Sequence, residues 1–127
     1  MRRFNEIHEK EVGGKPPAFG YPDNGNGRYS IDLTYAEWFS FNNWQRVQYN
    51  FLEQITPMLI WVLIGSFYKP LVAAIFGLTF FVGRIFYSIG YCKSPAHRGL
   101  GAIICDLAYV GAFILSLVAI GKWGTQE

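Results

Sequence analysis

Residues 41–53 read Phe-Asn-Asn-Trp-Gln-Arg-Val-Gln-Tyr-Asn-Phe-Leu-Glu and lead straight into a long apolar stretch. Arg46, Asn50 and Glu53 recur at intervals of four and three residues, so a helix places them on one face. Ionisable groups beside a bilayer are costly and usually have a partner or a ligand. The stretch therefore predicts the mouth of a membrane helix that carries a polar site.

The charged residues of the chain are unevenly spread. Between Phe51 and Ile120, where apolar residues dominate, only six residues are charged. They are Glu53, Lys69, Arg84, Lys93, Arg98 and Asp106. Most of the others lie in the first forty residues, which predicts an all-α membrane protein with a polar N-terminal tail.

Other functional classes find no support in the composition. The net charge of +2 is too small to argue for a nucleic-acid partner. Two cysteines in 127 residues do not make a disulfide framework. The sequence shows no metal-ligand spacing, phosphate loop or nucleophile motif, so no metal site is predicted.

We predict a loop-rich tail over residues 1–40 and a membrane domain over residues 41–127. In the tail, residues 1–11 are expected to form a short polar helix, and residues 12–30 are expected to form turns. The turn-forming pairs are Gly13-Gly14, Pro16-Pro17, Pro22-Asp23 and Asn24-Gly25. Residues 31–41 are aromatic and amphipathic, and are expected either at the lipid headgroups or in a loop packed on the protein.

Three spans are predicted in the membrane domain, at about residues 45–68, 71–91 and 99–120. The first helix is expected to begin near Phe41. Pro57 should bend it, because proline lacks the amide that would bond to the carbonyl four residues earlier.

Antiparallel connections would bring three polar ends of these spans to one side of the membrane. Arg84, Tyr87 and Tyr91 share a helix face at the end of the second span, and Arg98 begins the third. Together with the polar start of the first span, they supply arginines, a carboxylate, an amide and phenols. Such a set suits a small zwitterionic ligand.

A structural alternative stays open for each of these residues. Arg46 could pair with Glu53, and the tyrosines could belong to an interfacial aromatic belt. Asp106, inside the third span, is expected to pair with Arg84 or Lys93, or to face another subunit.

Two motifs resemble the MAPEG family, the membrane-associated proteins of eicosanoid and glutathione metabolism. Residues 41–53 are similar to its pattern FNxxQRxxxNxLE, and residues 83–91, Gly-Arg-Ile-Phe-Tyr-Ser-Ile-Gly-Tyr, to its pattern GRxxYxxGY. Arg98 stands seven residues after Tyr91, the offset of an arginine in catalytic members. The most similar branch is that of microsomal glutathione S-transferase 3.

The resemblance covers residues 41–121 and includes Pro57, which matches a family proline. Gln54 departs from it, since some relatives carry an aromatic residue there. The family fold is a four-helix bundle that assembles as a homotrimer, with glutathione between neighbouring subunits near one membrane face. No membrane helix is visible ahead of residues 41–53, so we expect a MAPEG-like bundle of three transmembrane helices without the first family helix.

The resemblance also implies roles for single residues. The residues expected to bind glutathione by resemblance are Arg46, Gln48, Asn50, Glu53, Tyr87 and Tyr91. Arg84 is added because it shares a helix face with the two tyrosines. Arg98 would stabilise the glutathione thiolate, because a nearby cation favours the charged form of a thiol.

Two hypotheses about function remain, together with a third, a lipid-binding scaffold. The first is a glutathione transferase or peroxidase that acts, as a homotrimer among membrane lipids, on lipophilic electrophiles or lipid hydroperoxides. The second is a non-catalytic accessory subunit of a large membrane complex, such as a mitochondrial respiratory complex. The expected location is the endoplasmic reticulum or the mitochondrial inner membrane.

Overall fold

The protein is built from helices. The computed structural model describes residues 2–14, 23–31 and 33–125. Its elements are α1 (Arg2–Glu11), α2 (Arg28–Ile31), α3 (Tyr35–Ser66), α4 (Pro70–Lys93), a 3-10 turn (Pro95–Arg98) and α5 (Gly99–Gly124). The predicted all-α fold is confirmed, and three long helices, α3, α4 and α5, lie where the three transmembrane helices were expected. The chain divides into two compact units, Met1–Asn42 and Asn43–Glu127.

The first unit begins with α1, the short polar helix predicted for residues 1–11. Gly13 and Gly14 follow it with φ angles of 82° and 84°, in the left-handed region that glycine adopts without steric cost. Residues 15–22, with the predicted turns at Pro16-Pro17 and Pro22, lie outside the described residues.

Asp23 and Trp38 organise the second half of this unit. The Asp23 carboxylate accepts hydrogen bonds from the backbone amides of Gly25 and Ser30, each 3.0 Å long. The indole nitrogen of Trp38 donates to the carbonyl of Gly25 at 2.9 Å. These bonds tie the predicted Asn24-Gly25 turn to the beginning of α3.

A capping box fixes the start of α3. The Glu37 carboxylate accepts from the backbone amide and the hydroxyl of Thr34 at 2.9 and 2.8 Å, and the Glu37 amide donates to that hydroxyl at 3.4 Å. The two bonds from Thr34 lower the pKa of the exposed Glu37 carboxyl, and the bond from the backbone amide has the larger effect. The helix thus begins at Tyr35, ahead of the predicted Phe41, and the packed-loop alternative for residues 31–41 is wrong from Tyr35 onward.

In the second unit, α5 packs through small side chains. Its buried residues are Gly101, Cys105, Ala108, Ala112, Ser116 and Ala119. Small residues let helix backbones approach closely, which is how helices commonly pack in a bilayer. The approach is tightest at Gly101, where a Cβ would overlap the backbone of Tyr87 on α4.

All three long helices contribute to one hydrophobic core. Met58 of α3, Phe80 of α4 and Cys105 of α5 are buried in it. Trp61 of α3 extends the contact and meets Tyr109 of α5 edge to face, with ring centroids 4.5 Å apart.

Most of the outer surface of α4 and α5 is apolar. In the described part of the chain, α4 and the segment Pro95–Gly124 are long and apolar enough to cross a membrane, with mean hydropathies of 1.8 and 2.4. Large apolar side chains such as Leu78 and Leu107 are exposed on them, as lipid-facing residues are in a bilayer. α3 is longer, but the polar residues of its first half lower its hydropathy.

Short connections give the long helices an antiparallel order. After α3, the amides of Tyr68 and Lys69 donate to the carbonyl of Gly65 at 3.1 and 2.9 Å. Pro70 then begins α4, where its missing amide costs no helical bond. The 3-10 turn links α4 to α5. The polar half of α3, the end of α4 and the start of α5 therefore meet at one end of the bundle.

Candidate ligand-binding site

A side-chain hydrogen bond joins the two motifs of the sequence. The amide nitrogen of Asn50 on α3 donates to the hydroxyl oxygen of Tyr87 on α4 at 2.9 Å. Because the phenol accepts this bond, its own proton is left for another acceptor. The contact places the polar start of α3 beside the polar end of α4.

Two neighbouring phenols, tilted by 48° to each other, form the floor of the site. The rings of Tyr87 and Tyr91, one turn apart on α4, have centroids 5.6 Å apart and are almost fully buried. Val47 of α3 completes this cluster, and Cys92 and Ala102 pack against it. Apolar packing therefore fixes both rings and leaves their hydroxyls to determine the polarity of the site.

Arg98 stands at the start of α5, above this floor. Its guanidinium lies 5.3 Å from the centre of the Tyr91 ring, within the range of a cation–π interaction. The side chain is exposed, so its hydrogen-bond donors are open to a ligand. The 3-10 turn at Pro95–Arg98 brings it back over the end of α4.

Arg84 is enclosed, unlike Arg98. It is 5% exposed, and its guanidinium donates to the side-chain carbonyl of Gln54 at 3.3 Å and to the backbone carbonyl of Val47 at 3.0 Å. It also lies over the rings of Tyr87 and Phe51, at 4.5 and 5.4 Å. The guanidinium of Arg84, which was predicted to bind a ligand, thus donates its hydrogen bonds to α3.

The remaining predicted ligands lie on the outside of α3. Arg46, Gln48 and Glu53 are exposed. Arg46 and Glu53 are two turns apart on one flank, whereas Gln48 is turned to the opposite flank. Within residues 33–125 the structure pairs neither Arg46 with Glu53 nor Asp106 with Arg84. Asp106 is exposed on α5.

Gln54 was not among the predicted site residues, although it contacts one of them. It lies seven residues after Val47 and four before Met58, both of which are buried on α3. A polar residue at helical spacing within an apolar stripe usually has a buried partner. That pattern was available in the sequence as a signal.

Among the described residues, no group of three or more histidine, cysteine, aspartate or glutamate side chains could hold a metal ion. The side chains gathered at this end of the bundle are arginines, amides and phenols, with Glu53 nearby. They suit an organic ligand with carboxylate, ammonium and amide groups.

The fold and the site define an all-α integral membrane protein with a polar site at one end of its helical bundle. The chain belongs to the MAPEG family, whose sequence model matches residues 12–118. Members of this family resemble glutathione transferases or peroxidases.

A further comparison finds a curated protein that is similar to part of this chain. An uncharacterized protein of Synechocystis sp. is 36% identical over an alignment of 74 residues that covers 54% of this chain and 54% of that protein. The match therefore spans about half the length of this curated relative. No solved structure matches the sequence.

Proposed function

We propose that the protein is a glutathione transferase or peroxidase, with a lipophilic electrophile or lipid hydroperoxide as its second substrate. The observation that carries the proposal is the hydrogen bond between Asn50 and Tyr87, because it unites the two family motifs in one site. The likeness to microsomal glutathione S-transferase 3 belongs to the same proposal.

The groups of glutathione have matching partners on α3. A guanidinium holds a carboxylate with two parallel hydrogen bonds, which is the proposed role of Arg46. The Glu53 carboxylate accepts from the ammonium group, and Asn50 bonds to a peptide group. Gln48, on the opposite flank, is the proposed contact for glutathione held by a neighbouring copy.

The reactive sulfur is assigned to the end of α4 and the start of α5. Tyr87 and Tyr91 orient the cysteinyl part of glutathione through their hydroxyls. The cation of Arg98 stabilises the thiolate, which is the nucleophilic form of the thiol. We expect a lipophilic substrate to reach this site from the bilayer.

The proposed transfer begins when the thiolate attacks an electrophilic carbon. A carbon–sulfur bond forms, and the leaving group departs with its electron pair. With a hydroperoxide, the thiolate attacks the terminal peroxide oxygen. A sulfur–oxygen bond forms as the oxygen–oxygen bond breaks, and the alkoxide that leaves takes up a proton. A second glutathione then reduces the sulfenic acid, so two glutathiones and one hydroperoxide give a disulfide, an alcohol and water.

The proposed assembly is a homotrimer. Among the described residues, neither Arg46 nor Glu53 has a hydrogen-bond or ion-pair partner, and their exposure fits a ligand enclosed between neighbouring copies. The lipid-facing surfaces of α4 and α5 would remain on the outside of such an assembly.

Purified protein in mild detergent provides the test. We expect saturable glutathione binding by calorimetry and conjugation of glutathione to 1-chloro-2,4-dinitrobenzene or reduction of cumene hydroperoxide. Serine in place of the cysteine of glutathione should abolish turnover and keep binding. Absence of both binding and turnover in the intact protein would overturn the proposal.

The accessory-subunit hypothesis makes an opposite prediction for the same preparation. A subunit of a large complex would migrate with that complex on a native gel of solubilised membranes, whereas the proposed enzyme migrates as a free oligomer. Fractionation of the same membranes tests the predicted location in the endoplasmic reticulum or the mitochondrial inner membrane.

A further inference from the structure

Arg84 has an environment that differs from that of the other arginines of the membrane domain. Among the residues that the structure describes, it is the one charged side chain that is buried, whereas Arg46 and Arg98 are exposed. A buried cation is costly, so the contacts around it must compensate. Those contacts come from α3, although Arg84 belongs to α4.

The guanidinium spans two turns of α3. One terminal nitrogen bonds to the backbone carbonyl of Val47, and the other bonds to the side chain of Gln54, seven residues later. The ring of Phe51, between them in sequence, lies 5.4 Å from the guanidinium carbon. A single planar group therefore contacts three successive positions along one face of α3.

Such a bridge is sensitive to the register of the two helices. A shift of α3 by one residue moves it about 1.5 Å along its axis and turns its side chains by about 100°. Either change separates Gln54 from the guanidinium. Asn50 lies between Val47 and Gln54, and its hydrogen bond to Tyr87 requires the same register.

The bridge also limits what else Arg84 can bind. Its two terminal nitrogens each bond to α3, and its third nitrogen, Nε, is buried without a hydrogen-bond partner among the described residues. Tyr87 covers one face of the guanidinium at 4.5 Å. Because the side chain is only 5% exposed, little of the guanidinium is accessible to a carboxylate of a ligand.

We propose that Arg84 and Gln54 form a register bridge between α3 and α4, which positions Asn50 against Tyr87 and makes Arg84 a positioning residue rather than a ligand contact. This inference rests on the proposed glutathione function for its consequences at the site. The bridge itself is a property of the folded chain without ligand.

Gln54→Glu separates the two roles of Arg84. The new carboxylate would give the buried guanidinium a charged partner and strengthen the bridge. We expect the melting temperature in detergent to rise by about 4 °C and the Kd for glutathione to stay within about threefold of the parent. If Arg84 instead holds a glutathione carboxylate, the new carboxylate competes for it and the Kd rises at least tenfold.

Gln45→Glu provides the matched control, since it adds the same charge to the same helix nine residues earlier. Its melting temperature should equal that of the parent. Gln54→Leu removes one end of the bridge, and Arg84→Lys replaces the planar fork by a point charge that cannot reach both acceptors. Both should lower the melting temperature by about 4 °C and raise the Kd for glutathione about tenfold, measured well below their melting temperatures.

A double-mutant cycle then tests whether the bridge acts through Asn50. Asn50→Ala should weaken glutathione binding about tenfold in the parent and by less than about threefold in Gln54→Leu, because the contact is already misplaced there. Equal losses in both backgrounds would contradict positioning. If the parent does not bind glutathione, the proposed function fails, while the melting temperatures of Gln54→Glu and Gln54→Leu still decide the bridge: it fails if neither departs from Gln45→Glu.

Discussion

At the scale of single residues, exposure separates the arginines into different roles. Arg98 is exposed over the Tyr91 ring, at the point where the 3-10 turn meets α5. Its guanidinium is held by an aromatic face and keeps its donors free. A fixed cation with free hydrogen-bond donors can stabilise a negative charge that is present during a reaction, such as that of a thiolate.

Replacement of Arg98 should therefore affect chemistry more than binding. We expect Arg98→Ala to lower kcat for conjugation about 10- to 100-fold, with a smaller change in the Kd for glutathione. The rate should recover in part at higher pH, where more of the bound thiol ionises. Stopped-flow measurements across a pH series check this.

His97→Ala is the control for Arg98, because His97 is its exposed neighbour in the same 3-10 turn. It should leave the rate and its pH dependence unchanged. An equal loss in both variants would point to damage of the turn rather than loss of a cation.

Asn50 has the complementary role of a binding residue. Asn50→Ala removes the donor to the Tyr87 hydroxyl, which costs about 1 kcal/mol for a typical hydrogen bond in addition to the lost ligand contact. We expect calorimetry to show a Kd for glutathione raised about tenfold. Asn42→Ala, which removes a bond to the Trp38 carbonyl one turn away, should leave the Kd near that of the parent.

At the scale of elements, the contact between α4 and α5 depends on Gly101. A Cβ at this position would overlap the backbone of Tyr87, which a side-chain rotation cannot relieve. Gly101→Ala should destabilise the bundle by about 1–3 kcal/mol, the usual cost of overpacking, as measured by thermal unfolding in detergent. It should also displace Tyr87 and weaken glutathione binding.

Gly99→Ala is the matched control on the same helix. No atom lies within 4 Å of the position of its Cβ. Alanine is the better helix former, so the melting temperature should stay the same or rise slightly. A loss as large as that of Gly101→Ala would mean that the close approach does not cause the effect.

The beginning of α3 should respond to pH. The Glu37 pKa is lowered because the carboxylate accepts hydrogen bonds from Thr34, so the capping box is complete above the ordinary pKa of glutamate. Its stabilisation is lost as pH falls through the lowered pKa. Protection of the first turn of α3 from hydrogen exchange should be greater than in Glu37→Ala at pH 7, and this difference should disappear at acid pH.

At the scale of the whole molecule, apolar side chains occupy the outside and the polar site lies at one end of the bundle. A trimer would place Arg46 and Glu53 of each copy at a boundary between chains. Native mass spectrometry from mild detergent should show three chains per particle. Addition of glutathione should raise its thermal stability, because a ligand that binds only the folded assembly stabilises it.

Much of this arrangement could be predicted from local pattern. The clustered charges predicted an all-α membrane fold with three long helices, and the spacing of Arg84, Tyr87 and Tyr91 predicted a shared helix face. The start of α3 was predicted too late because the aromatic stretch concealed the Thr34–Glu37 capping box. That signal was present in the sequence as a threonine followed by a glutamate three residues later.

The sequence by itself determined the helices, their order and the end of the bundle at which polar groups collect, because hydrophobic periodicity and turn residues act locally. Only the tertiary structure decided which side chains of residues 41–53 turn inward. Asn50 meets Tyr87, whereas Arg46 and Glu53 remain exposed, and Arg84 bonds to α3. These outcomes depend on helix rotation and register, which arise from contacts between residues thirty or more positions apart in the chain.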